Sequence, residues 1–207
     1  MNRCLVLGNG PTLSEMPREL LEKYPTFGSN RVYLLDGFTP TYYAAVNPLV
    51  VKQFANEINK MDCEKYITEK LSSRIPGSIP LNNVGCNLFS FRPDKYIWEG
   101  FTVTYVLLQL AFWKGFDEVG LLGVRHEYTF TGSPNQLLNA KGPDLNHFAP
   151  DYFTDGMIWN APDLERSENA YRIAHQVYSE AGRGIINLTP GTQLEVFPKG
   201  DYLSWLE

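Results

Sequence analysis

Cysteine is scarce in this chain: Cys4, Cys63 and Cys86 are all there is, with no C-x-x-C spacing. An odd and sparse set excludes a disulfide framework and reads as free thiols in a reducing compartment. Cys4 falls inside an apolar run and reads as core. Basic charge is the next shortage. Lys and Arg number 18 against 23 Asp and Glu, a formal net charge of −5. This argues against a nucleic acid as the main partner, because backbone binding needs clustered Lys and Arg. Long hydrophobic runs are missing as well. The longest, Val103 to Trp113, is interrupted by Tyr105 and Gln109 and falls short of the roughly 20 residues that span a bilayer. No charged region followed by an apolar stretch marks a signal peptide. The expectation is a soluble, cytoplasmic protein without an integral membrane segment. Dense metal-ligand spacing is also absent. His126-Glu127 lacks the second His of H-E-x-x-H, so no dedicated metal site is expected.

What is present is enough for one packed domain over 1–207, since 43 % of the 207 residues are apolar. Residues 3–8 read as a buried strand and 12–24 as a helix closed by Pro25. Phe27 to Ser29 and Tyr42 to Val46 are the next strands. A helix over 48–60 then places Val51, Phe54, Ala55 and Ile58 on one face. Lys65 to Thr68 and Leu88 to Phe91 are strand candidates, separated by a Pro/Gly/Asn-rich connector over 74–84. A buried helix over 101–114 precedes a strand at 118–122. The clearest helix spans 163–181, with Gly182 as its C-terminal cap. A strand at Ile185 to Leu188 and an extended piece at Leu194 to Phe197 follow. Alternating strands and helices indicate a doubly wound α/β fold with a mainly parallel, Rossmann-like sheet. The stretch 124–162 shows little periodicity but is rich in aromatics, and reads as a long irregular lid-like insertion.

The first strand ends in Gly8-Asn9-Gly10-Pro11-Thr12. Glycine tolerates the conformations of a tight strand-to-helix turn, and proline suits the first turn of a helix. The free amides beyond such a turn would face the carboxyl edge of the sheet and attract an anion. The pattern is neither G-x-G-x-x-G nor a P-loop. An Asn cap on a tight turn explains the same residues. Among the three histidines, His175 lies beside the core stripe of the last helix. His126 follows a strand end, and His147 lies in the irregular segment, so these two are the candidates for proton transfer.

Gly8-Asn9-Gly10-Pro11-Thr12 resembles the G-N-G-P-S opening of the Campylobacter-type sialyltransferases, which use a CMP-activated sugar. It also resembles a mostly uncharacterised bacterial family grouped with archaeal 6-hydroxymethylpterin diphosphokinases. Ser29-Asn30-Arg31, Val46-Asn47-Pro48, Thr102-Val103-Thr104 and Gly115-Phe116 with Glu118 to Gly123 match sialyltransferase blocks in order. Asn146-His147-Phe148, Asp151-Tyr152-Phe153, Pro162-Asp163-Leu164 and the ending Asn187 to Phe197 look closer to the second family. The resemblance implies a Rossmann-like fold and a nucleotide ligand. It implies that Gly8, Asn9, Gly10, Pro11 and Thr12 lie at the phosphates, with Asn30, Asn47, Thr102 and Thr104 holding the nucleotide and the transferred group. Tyr128 matches the first of the tyrosines that the sialyltransferases set near the leaving phosphate, and Tyr152 is the second candidate.

The chain departs from the pattern twice. Leu164 and Glu165 stand where the sialyltransferases have their general-base His, so His147 or His126 must substitute. Arg125 stands where both groups have Asp after the strand, and a guanidinium there would bind a phosphate directly. The expected activity is a nucleotide-dependent transfer from a CMP-sugar donor to a small-molecule or glycan acceptor. Any Mg²⁺ would arrive with the nucleotide, and a homo-oligomer is compatible with the sequence. The alternatives are pyrophosphoryl transfer from ATP to a pterin alcohol, and a non-catalytic nucleotide-binding domain.

Overall fold

In the computed structural model, residues 1–85 and 88–207 are described. Cys4 and Cys63 are free thiols, while Cys86 lies outside the described residues. Seven parallel strands make the central sheet: β1 (Arg3–Leu7), β2 (Thr26–Ser29), β3 (Tyr42–Ala45), β4 (Glu64–Thr68), β5 (Ile79–Leu81), β8 (Glu118–Leu122) and β11 (Gly184–Asn187). Their order is β11-β8-β1-β2-β3-β4-β5. Two short pairs stand apart, β6 (Asn83–Val84) with β7 (Ile97–Trp98), and β9 (Leu137–Asn139) with β10 (Ile158–Asn160).

The sheet is buried on both faces, which is why its strands read as apolar runs rather than as alternation. Alternate residues of β1 serve opposite layers. Cys4 and Val6 pack with α3 (Val103–Trp113) and α4 (Leu164–Glu180), whereas Leu5 and Leu7 pack with α1 (Arg18–Lys23) and α2 (Pro48–Lys60). Helix α3 is sheathed by the sheet and α4, and Tyr105 to Ala111 are buried without exception. Helix α4 buries only the stripe Ser167, Ala170, Tyr171, Ala174 and Tyr178, as its amphipathic pattern requires.

Several expected elements differ. The helix over 12–24 is two pieces, a five-residue 3₁₀ turn (Pro11–Glu15) and α1. Pro17 between them has no amide hydrogen to continue the ladder. The connector over 74–84 contains the edge strand β5 and β6. Leu88 to Phe91 is not a strand; Ile97–Trp98 takes the pairing instead. Leu194 to Phe197 is irregular as well. The 124–162 stretch holds an antiparallel ribbon, β9 with β10. No helix among the described residues is long and apolar enough to cross a membrane.

The chain starts at the sheet centre with β1, moves outward through β2 to β5, then returns to β8 on the other side of β1. This reversal opens a crevice beyond the carboxyl ends of β1 and β8, where open α/β sheets bind ligands.

Candidate functional site

A cavity of about 490 Å³ occupies that crevice, within the roughly 300–1,000 Å³ of small-molecule sites. The ends of β1, β2, β3 and β8, the N-termini of α2, α3 and α4, and the 124–162 segment all contribute lining residues. Of the residues singled out from the sequence, Gly8, Asn9, Asn30, Asn47, Thr102, Thr104, His126, Tyr128, His147 and Tyr152 line it together. Gly10, Pro11, Thr12 and Arg125 do not.

The glycines explain the first part of that division. The Gly8 amide donates to the Leu122 carbonyl at 2.7 Å, and the Gly10 amide donates to the Gly123 carbonyl at 2.9 Å. A Cβ added at Gly8 or at Gly10 would lie 2.5 or 2.6 Å from the Gly123 oxygen. Gly123 itself has φ +68°, and a Cβ there would meet the Gly8 carbonyl at 2.6 Å. The glycines therefore let the turns after β1 and β8 touch backbone to backbone at the reversal point. The Gly8 and Gly10 amides are spent on this contact, and the segment after them is a five-residue 3₁₀ turn rather than the start of an α-helix. Arg125 is likewise engaged elsewhere, its Nη2 2.5 Å from the Glu127 carboxylate.

The polar wall comes from asparagines and threonines that also end or begin elements. Asn9 donates from Nδ2 to the Ser29 carbonyl at 3.3 Å, but its buried Oδ1 has no partner among the described residues. Asn30 adopts φ +51°, a left-handed conformation that Asn tolerates better than most residues, and its buried Oδ1 likewise has no partner among the described residues. Orphaned acceptors are rare in folded proteins and call for a donor from elsewhere. Asn47 caps α2 by accepting the Leu49 amide at 2.9 Å, and donates to Asn160 Oδ1 at 3.2 Å. Thr102 caps α3 and lies 3.4 Å from the Tyr171 hydroxyl.

The histidines and tyrosines singled out from the sequence line the same cavity. His147 Nδ1 is 2.8 Å from Asp144 Oδ2, and both side chains are nearly buried at 10 % and 4 % exposure. The pairing occupies Nδ1 and leaves Nε2 as the ring's second nitrogen. Burial pushes Asp144 up, but the His147 hydrogen bond and charge, with the amides of Asn146 and His147, outweigh it and hold the carboxyl below its usual range. The imidazole lies flat on Tyr152, centroids 3.9 Å apart and planes 2° from parallel. Tyr152 is fully enclosed, its hydroxyl accepts the Arg31 amide at 3.2 Å, and burial holds its phenol far above the ordinary range. Tyr128 is partly exposed, its ring centroid 6.2 Å from that of His147. His126, at φ +59°, sets Nε2 3.3 Å from a Glu168 oxygen. Burial lowers its pKa and outweighs the opposing pull of Glu168.

Sequence reasoning missed residues that complete the cavity. Asp163 caps α4 through the Arg166 amide and accepts from Asn135 Nδ2 at 2.9 Å. Phe153 and Trp159 stack at 5.4 Å, and Arg31 turns inward from the end of β2. The Asp before a helical stretch was a readable cap signal. Nothing local marked Arg31 or the ring pair. The 124–162 segment is tied down at several points: the Phe148 amide donates to the Asn9 carbonyl at 3.0 Å, and Gln53 donates to the Ile158 carbonyl at 3.1 Å. Among the described residues no three His, Cys, Asp or Glu side chains are grouped to hold a metal ion.

The chain matches no protein-family model and no curated protein. Its fold is similar to solved structures. A variant of the sialyltransferase CST-II in complex with CMP superposes with a TM-score of 0.57 at 12 % identity, covering 96 % of this chain and 86 % of the other. The sialyltransferase CstII from Campylobacter jejuni, in complex with the substrate analogue CMP-3FNeuAc, gives 0.53 at 14 % identity, covering 96 % and 85 %. At these identities the likeness establishes the Rossmann-like α/β fold that the sequence pattern predicted.

Proposed function

We propose that the chain is a glycosyltransferase-like enzyme that binds a nucleotide-activated donor of the CMP-sugar type in the cavity beyond β1 and β8. The observation that carries this reading is that the cavity is lined both by His147, whose Nδ1 is paired behind it with the nearly buried Asp144, and by Asn9 and Asn30, whose Oδ1 atoms have no partner among the described residues. The orphaned Oδ1 atoms of Asn9 and Asn30 suit the amino and hydroxyl donors of a nucleoside or sugar. Asp144 holds His147 in one orientation through Nδ1, and His147 removes the acceptor hydroxyl's proton as the acceptor oxygen bonds to the sugar's anomeric carbon, the sugar–phosphate bond breaks and CMP leaves. The stacked Tyr152 fixes the plane of the ring. The 124–162 segment acts as a lid whose seating excludes water. The neighbours whose fold the chain shares bind CMP or a CMP-sugar analogue, which supports the choice of nucleotide. The cavity-lining carboxylates among the described residues are Glu99 and Asp163. Each already accepts from a side-chain amide. Acceptors are small molecules or glycans that reach His147 through the cavity mouth.

Calorimetric titration with CMP, CDP, UDP, GDP and ATP tests the reading. Binding of CMP below about 1 mM, equivalent to roughly −4 kcal/mol, is expected. Preference for ATP, with AMP released from ATP only when a pterin alcohol is present, would replace it with pyrophosphoryl transfer. No binding by any nucleotide would remove it.

A further inference from the structure

Arg31 is only 8 % exposed, a setting in which arginine is normally paired with a carboxylate. Among the described residues no Asp or Glu oxygen lies within 4.0 Å of its guanidinium. Its partners are neutral. Nε donates to the Tyr33 hydroxyl at 3.1 Å, and Nη1 donates to the carbonyls of Asp151, at 3.0 Å, and of Tyr152. The guanidinium carbon sits 4.4 Å from the Phe54 ring centroid. These contacts aim the fork and leave its charge uncompensated. Nη2 has no protein partner among the described residues, yet it is not sealed away like the orphaned oxygens of Asn9 and Asn30. The open space that Arg31 lines is the cavity. The other basic side chains lining that cavity, His126 and His147, each face a carboxylate.

We propose that Arg31 is the anion-binding residue of the cavity, its Nη2 receiving a phosphate or carboxylate oxygen of the bound donor. The charge-assisted bond lets the ligand supply the counter-charge that the protein withholds. The Gly8 and Gly10 amides do not hold this anion, because they are spent on Leu122 and Gly123. The assignment rests on the cavity being the donor site and names the residue and the ligand chemistry there.

The test compares wild type with Arg31→Gln and Arg31→Lys by calorimetry, using inorganic phosphate, acetate, cytidine and CMP as probes. In Arg31→Gln, affinity for CMP and phosphate is expected to fall at least about tenfold, while cytidine, which carries no anion, binds as before. Loss confined to acetate, with CMP and phosphate unchanged, assigns the site to a carboxylate and also supports the proposal. Arg31→Lys keeps the charge without the fork, so a smaller loss is expected. If Arg31→Gln does not fold, Arg31→Lys decides by the same comparison of CMP with cytidine. Equal losses for CMP and cytidine would show a merely structural arginine and overturn the proposal. So would unchanged affinities throughout, or no anion binding by wild type. Arg31-dependent phosphate binding without CMP binding would keep the anion site and remove the CMP reading.

Discussion

Gly10→Ala separates two accounts of the opening turn by the sign of its effect. Gly10 has φ −68° and ψ 163°, a conformation any residue adopts. On backbone grounds alone alanine should stabilise the protein by about 0.4–1 kcal/mol, through lost freedom in the unfolded chain. The structure argues the opposite. The new Cβ would lie 2.6 Å from the Gly123 oxygen and 3.3 Å from its carbonyl carbon. That same oxygen accepts the Gly10 amide at 2.9 Å. The obstacle is backbone and cannot rotate aside, so β1 and β8 must separate locally and the hydrogen bond must lengthen. Overpacking costs about 1–3 kcal/mol, and weakening a buried backbone hydrogen bond adds about 1 kcal/mol. For a chain of this size each kcal/mol lowers Tm by about 2–4 °C. A fall of about 4–16 °C is therefore expected by differential scanning calorimetry. Gly184→Ala is the control, since nothing lies within 4 Å of a Cβ there; it should be near neutral. A Gly10→Ala protein as stable as wild type, or more stable, would refute the backbone-contact explanation.

Other outcomes follow from the same geometry. His147→Asn should lower donor turnover by about 10²–10⁴-fold while calorimetry shows CMP affinity changed less than about threefold. Asp144→Asn should lower turnover by a smaller factor, because His147 loses the partner that orients its ring. Stability should fall on acidification in two windows. The lowered pKa of His126 contributes stability that is lost below the ordinary imidazole range near pH 6.5. The lowered pKa of Asp144 contributes stability present above its unfolded value near 4 and lost as pH falls through the lower folded value. Urea midpoints from pH 8 to 3 would show the upper window vanish in His126→Phe and the lower shrink in Asp144→Asn. Asn47→Ala removes a helix cap worth about 1 kcal/mol and the bond to Asn160, so it should also speed proteolysis within 124–162.

The sheet and its major helices were legible because burial imposes a readable pattern on them. The apolar runs of β1 and β8 sit in a sheet covered on both faces, and α4 was legible as a long helix, though its buried face centres on Ser167, Tyr171 and Tyr178, which the spacing of its aliphatic residues did not mark. The single helix expected over 12–24 failed because its apolar spacing continues across Pro17, which no hydrophobic pattern registers. Strands β5, β6 and β7 were obscured because two or three residues cannot display a period. The candidate site was legible in its asparagines and histidines, which stand beside strand ends where local sequence places them. Arg31 was not, since its importance lies in a carboxylate that no neighbour supplies, and such an absence depends on the whole fold. The glycines were noticed, but their packing role was not. Their close contact with Gly123 joins positions more than a hundred residues apart, and only the touching of β1 with β8 reveals it.

A crystal structure of the protein grown with CMP puts the central claim to its most direct test. The account predicts nucleotide density in the cavity beyond β1 and β8, with the base or ribose donating to Asn9 and Asn30 and the phosphate at Arg31. An empty cavity at millimolar CMP, or density seated elsewhere on the molecule, would contradict it.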